Sequence, residues 1–163
     1  GQVLQLKQTL KVLGAWFEEE GGLDTEVAHR VAKGWALFWS LKDLLVRPRM
    51  PMQPRLSLLF GAVVPAMLWR RETTSYTVNQ RKRMDTTLME MVRRMVSAKR
   101  QVGELWLPWY IRSMRQSRAA IYSAGYLSLS DYRLREQHRW VGHVARLSWL
   151  QDRFSANAVL WRN

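Results

Sequence analysis

The chain has 163 residues, of which 26 are Lys or Arg and 13 are Asp or Glu, for a net charge of +13. That length suits a single domain, and 47% hydrophobic residues with nine tryptophans supply a core, which excludes wholesale disorder. Cysteine is absent, which excludes disulfides and thiolate zinc sites, and the longest uncharged run, Leu56 to Trp69, is 14 residues where a membrane span needs about 20.

The first residue is glycine, so a processed, trimmed or partial chain is expected. Residues 1–22 are expected to form a short β-hairpin. Val3, Leu4, Leu6, Leu10 and Val12 lie among polar residues up to Gly14, and Ala15-Trp16-Phe17 then runs into Glu18-Glu19-Glu20-Gly21-Gly22. From Asp24 the apolar period becomes helical. Asp24 or Thr25 can cap, and Val27, Val31, Trp35, Phe38, Leu41 and Leu45 fall on one face until Arg47-Pro48 ends the helix.

Pro54 suits the first turn of a second helix that carries Leu56, Leu59, Phe60, Val63, Val64, Met67 and Leu68 inward, with a kink at Pro65. A third helix is expected over roughly 77–100, with Leu88, Met91, Val92, Met95 and Val96 inward. A fourth runs from about Pro108 to Ala124 and stops at Gly125, a good left-handed end. The fifth starts near Ser130 and reaches about Leu150. The whole is a mainly α chain: a hairpin over 1–22, about five helices in a bundle over 23–150, and a tail over 151–163.

Charge is unevenly placed. Between Arg47 and Arg118 there are 15 basic and four acidic residues, a net of +11, against 11 basic and nine acidic elsewhere. The basic set is 20 Arg and six Lys, and the planar guanidinium fork matches phosphate oxygens and stacks on bases. Arg81, Lys82, Arg83, Arg93, Arg94, Lys99 and Arg100 place seven cations on the expected third helix, as a broad row wrapping about half its circumference. Arg112, Arg115 and Arg118 form a second candidate face. A solvated helix surface is the plainer reading of such a row, but only Asp85 and Glu90 offset it. The nucleic-acid-binding residues expected here are these ten.

Trp35, Trp39, Trp69 and Trp140 lie near apolar stripes and are expected in the core. Trp106 and Trp109, flanking Pro108 in a less regular stretch, are candidates for a partner-facing surface. His138 and His143 are five apart and His29 is remote, so they make a poor metal site. The five aspartates are never adjacent, and neither a nucleophile–base pair nor a phosphate loop is readable. A non-catalytic chain without metal or cofactor is therefore expected.

Near the C-terminus, Arg139-Trp140-Val141-Gly142-His143-Val144-Ala145-Arg146 resembles the "RW-GHV-R" signature late in non-LTR (LINE-type) retrotransposon reverse transcriptases. Upstream, and in the same order, Lys11-Val12-Leu13-Gly14 resembles their "K-Y-L-G" segment, with Val12 in place of the aromatic. Gly21-Gly22 and the stretch from Glu26 to Val31 resemble the following turn and helix start. Val64-Pro65-Ala66-Met67-Leu68-Trp69 is similar to the "V-x-P-x-L-x-Y-G" helix, with Trp69 and Arg70 replacing Tyr-Gly, and Glu72-Thr73-Thr74 blurs the next "E-x-W".

The resemblance covers about residues 11–147. It implies a primer-grip-like hairpin, a helical thumb that grips a template–primer duplex through its backbone, and the region beyond. The catalytic palm, with its paired aspartates, would lie before Gly1.

Two histories fit: a thumb adopted as a non-catalytic RNA-binding component of a large ribonucleoprotein such as an organellar (mitochondrial) ribosome, or part of an active retrotransposon polymerase, which works in the nucleus. The substitutions at Val12, Trp69 and Arg70 favour the first. A basic helical scaffold that docks proteins or a membrane complex is the third reading. Structural RNA or an RNA-containing duplex is the expected partner, with other proteins of a large assembly docking through Trp106 and Trp109.

Overall fold

The chain is mainly helical. The structure, a computed structural model, describes residues 9–12, 15–18, 23–47, 49–68 and 76–147. Strands β1 (Thr9–Val12) and β2 (Ala15–Glu18) run antiparallel, with Thr9 opposite Glu18 and Val12 opposite Ala15, and β2 lies along the first helix. The remainder of the stretch 1–22 and the tail 151–163 lie outside the described residues.

Helix α1 (Asp24–Ser40) buries Val27 and Phe38 completely, while Val31, Trp35 and Leu41 pack at the margin of the core. Its start differs from the expected cap. Leu23 holds the N-cap position without a side-chain bond, and Asp24 Oδ1 instead accepts from Gln80 Nε2 at 2.8 Å. Asp24 and Glu26 still place negative charge on the positive end of the helix dipole. The helical run breaks at Leu41, resumes as the short α2 (Lys42–Leu45) and stops at Val46, before Pro48.

The second apolar run forms α3 (Met52–Leu58), a π-helical turn over Leu59–Val63, and α4 (Val64–Met67). The expected disturbance at Pro65 takes the form of that wide turn. Val64 N–H reaches back five residues to Leu59 O, and the widened backbone leaves room for a proline ring that a regular turn would clash with. Leu56, Leu59, Phe60, Val63, Val64, Met67 and Leu68 are all buried.

Thr77 and Gln80 cap α5 (Val78–Val96) reciprocally. Gln80 N–H donates to Thr77 Oγ1 at 3.3 Å, and Thr77 N–H donates to Gln80 Oε1 at 3.0 Å. Because the Gln80 amide also donates to Asp24, the starts of α1 and α5 are tied together.

Helix α5 ends at Val96, four residues before the expected Arg100, and the next residue, Ser97, turns left-handed (φ 50°) while its N–H closes on Arg93 O. Lys99 and Arg100 therefore sit in the connection beyond the helix, correcting the expectation of seven cations on one helix. No glycine or proline marks that end, so it was not readable.

Helix α6 (Trp106–Ser123) closes as expected at Gly125 (φ 75°): Gly125 N–H bonds Tyr122 O, and Tyr126 N–H bonds Ile121 O. Helix α7 (Leu129–Leu147) starts behind Ser128, whose Oγ accepts from Asp131 N–H at 3.1 Å. Asp85 of α5 adds a second anchor, accepting from both the backbone N–H and the hydroxyl of Ser130.

Helix α1, the α3–α4 run and α5 share one core around Phe38, Leu59, Met67 and Met91, and α6 and α7 lean on α5. The closest approach in the core is at Gly34, where a Cβ would lie 2.8 Å from Met67 Sδ and nearer still to its Cγ. Tyr126 stacks on Phe60 with centroids 4.2 Å apart and donates its hydroxyl to Ser57, pinning the α6–α7 connection to α3. Arg55 is buried. Its Nη1 donates to Leu45 O at 3.2 Å and to Met95 O at 2.7 Å, answering carbonyls at the ends of α2 and α5.

Two expectations about tryptophans are corrected here. Trp39 is 46% exposed, because it sits at the outer margin of α1; Trp35 and Trp140 are half-buried, and Trp69 lies outside the described residues. Trp106 and Trp109 sit on the first turn of α6 and not in an irregular stretch. In α7, the only described atom within 4 Å of a Cβ built at Gly142 is Nη1 of Arg146 on the same helix, so no neighbouring helix approaches there. His143 is exposed, whereas Val144 carries that turn into the interior.

Candidate nucleic-acid interface

Burial of Met84, Leu88, Met91, Val92 and Met95 commits one side of α5 to the core, which forces its basic residues outward. Arg81, Lys82, Arg83 and Arg94 are exposed and Arg93 is half-buried. Lys82 and Arg93 are eleven residues apart, as are Arg83 and Arg94. Each pair therefore lies on one line of the helix, three turns and about 16 Å apart.

Helix α6 packs antiparallel to α5, so its start meets the end of α5 and its end meets the start. This gathers the cations into two surface grooves. The first holds Arg81, Lys82 and Arg118 beside Tyr110 and Met114. The second holds Arg93, Arg94, Lys99 and Arg100 between Trp39 and Trp109. Arg83 and Arg115 are exposed but line neither groove.

The second groove is built on stacked arginines. Arg94 lies 5.3 Å from the Trp35 ring and 5.4 Å from the Trp39 ring, and Arg93 lies 5.6 Å from both Trp109 and Tyr110. These contacts hold the guanidinium planes in place at low entropic cost. Carbonyls at and just beyond the end of α5 are occupied: Arg55 takes Met95 O, the one of the three that lies in the helix, while Trp109 Nε1 donates to Ala98 O at 2.8 Å and Arg112 Nη2 donates to Lys99 O at 3.0 Å in the connection that follows.

Arg112 is the one predicted contact residue whose charge is already spent. It grips Glu104 with two bonds, Nε to Oε1 at 2.9 Å and Nη2 to Oε2 at 2.6 Å, and thereby fastens the α5–α6 connection. The Arg112 hydrogen bond, with a second from Gln101 N–H, holds the Glu104 carboxyl down at about 2. Reciprocally, Glu104 raises the Arg112 pKa. Among the described residues, Arg81, Lys82, Arg83, Arg93, Arg94, Lys99, Arg100, Arg115 and Arg118 form no ion pair.

Arg55 and Arg133 are buried, and desolvation lowers the pKa of both. Arg133 lies 5.0 Å from the Tyr76 ring, so it packs inward between α7 and the segment before α5. Composition cannot distinguish these structural arginines from surface ones. An arginine at the edge of a long apolar run, as Arg55 is before Leu56, is the hint that the sequence offers.

Among the described residues no three His, Asp or Glu side chains group within reach of one metal ion, and no helix is long and apolar enough to cross a membrane. Compared with known protein families, with curated proteins and with solved structures, the chain matches none.

Proposed function

We propose that this chain is a non-catalytic RNA-binding protein that holds the phosphate backbone on the α5–α6 face, a reverse-transcriptase thumb put to structural use in a large ribonucleoprotein such as an organellar ribosome. The observation that carries this reading is the state of the acids around that face. Asp85 is engaged at the start of α7 and Glu104 is clamped by Arg112, while Glu90 pairs with none of the cations. The two grooves thus carry seven cations (Arg81, Lys82, Arg93, Arg94, Lys99, Arg100, Arg118) that form no ion pair among the described residues, against a single lining carboxylate, Asp85. Within this reading β1 and β2 stand where the resembled polymerases carry their primer grip. The same face would grip a template–primer duplex if the chain works beside a polymerase palm.

A protein-docking role is the second reading. Val102, Leu105, Trp106 and Leu107 form an exposed apolar lip at the start of α6, with Trp106 57% exposed and stacked on Tyr110.

The test compares two double neutralisations for RNA affinity. Arg81→Gln/Lys82→Gln should weaken binding, while Arg135→Gln/Arg139→Gln should not, because those arginines lie on α7, where both are within ion-pair range of Glu136. Equal effects from both pairs would mean that the charge is diffuse and no face is specialised.

A further inference from the structure

The groove at the end of α5 holds more than a backbone grip requires. Phosphates need cations only, yet this groove sets two aromatic side chains, Trp39 and Trp109, beside Arg93, Arg94, Lys99 and Arg100. Trp39 stacks on Trp35 with ring centroids 6.0 Å apart at 20°, which fixes its plane from behind, and still leaves 46% of the residue exposed. An indole stacked on one neighbour, half-open to solvent and flanked by guanidinium groups presents a flat apolar face beside cations, the pairing that a nucleotide's base and phosphate need. The other groove, around Arg81, Lys82 and Arg118, offers Tyr110 but no tryptophan.

We propose that the Trp39 groove receives an unpaired nucleotide, its base stacked on the open part of the Trp39 ring and its phosphates on Lys99 and Arg100. The inference rests on the RNA-binding reading and deepens it: the preferred ligand is a junction between duplex and single strand. The duplex lies along Arg81, Lys82 and Arg118, and the first unpaired base turns into the groove. Stacking is indifferent to base identity, because every base has a π-face, so no sequence preference accompanies the preference for a junction. Arg94, already packed on both tryptophans, extends the platform and supplies charge beside the stacked base.

Three RNAs test this with the unaltered protein: a blunt duplex, the same duplex with a short single-stranded overhang, and the same overhang with abasic sugars in place of nucleotides. The overhang duplex should bind roughly 10-fold more tightly than the blunt one, and the abasic overhang should lose most of that gain. Trp39→Ala should abolish the preference for the overhang over the blunt duplex, and Trp39→Phe should restore part of it. An abasic overhang that binds as tightly as the intact one would overturn the inference, since the gain would then come from phosphates. Equal binding of blunt and overhang duplexes would also overturn it, while the backbone-gripping function stands. Failure to bind any of the three would remove that function itself.

Discussion

Arg55 and Arg118 illustrate how one residue type takes opposite roles. Arg118 is exposed and lines a basic groove, whereas Arg55 is buried between two helix ends and donates to Leu45 O and Met95 O. Hydrogen bonds from a charged donor to otherwise orphaned carbonyls contribute about 1.5–3 kcal/mol. Arg55→Ala should therefore lower unfolding stability by about 2–3 kcal/mol in urea titrations without altering the salt dependence of RNA binding in the folded fraction. A loss of salt dependence with no loss of stability would move Arg55 to the surface.

The Glu104–Arg112 clamp carries the clearest pH signature. The folded carboxyl is held at about 2, below its ordinary 4.5, so it contributes stability that is complete above 4.5 and fades as pH falls toward 2. Between those values the α5–α6 connection should loosen, seen as faster amide exchange at Gln101 and Trp109. Glu104→Gln should be looser at neutral pH and should not loosen further on acidification in that window. Charge at residue 112 was legible in the sequence, but its partner Glu104 was not, because no local pattern fixes which of several arginines an acid eight residues away will grip.

At the scale of elements, helix faces were legible and helix ends only in part. The buried run Leu56, Leu59, Phe60, Val63, Val64, Met67 and Leu68 follows directly from three- and four-residue spacing. Gly125 announces the end of α6 because glycine takes a positive φ without cost, whereas Ser97 ends α5 by the same conformation in a residue type that gives no warning.

Gly34 and Gly142 can be told apart by the same substitution. At Gly34 a methyl meets fully buried Met67, and overpacking of about 1–3 kcal/mol outweighs the helix-propensity gain of about 1 kcal/mol. Gly34→Ala should therefore lower the melting temperature. Gly142→Ala meets open space apart from Arg146 and should raise stability by up to about 1 kcal/mol. If the signs came out reversed, the packing of α1 on α4 would be wrong.

Across the whole molecule, the separation of charge from core organises everything else. Basic residues outnumber acids most strongly between Arg47 and Arg118, and the fold places that segment so that α5 and α6 turn their cations to one surface. The sequence predicted that concentration of charge. It could not predict its division into two grooves, which depends on α6 running antiparallel to α5 and on the connection lifting Lys99 and Arg100 past the helix end.

The proposed grip on RNA requires that this surface displace counterions from a phosphate backbone. Its most direct test is the dependence of duplex RNA affinity on salt, plotted as log association constant against log concentration. With about five phosphates neutralised at about 0.9 each, the slope should be about −4 or steeper, and Arg81→Gln/Lys82→Gln should flatten it by about 1–2. A slope near zero, or a slope unchanged in the folded double variant, would contradict the account.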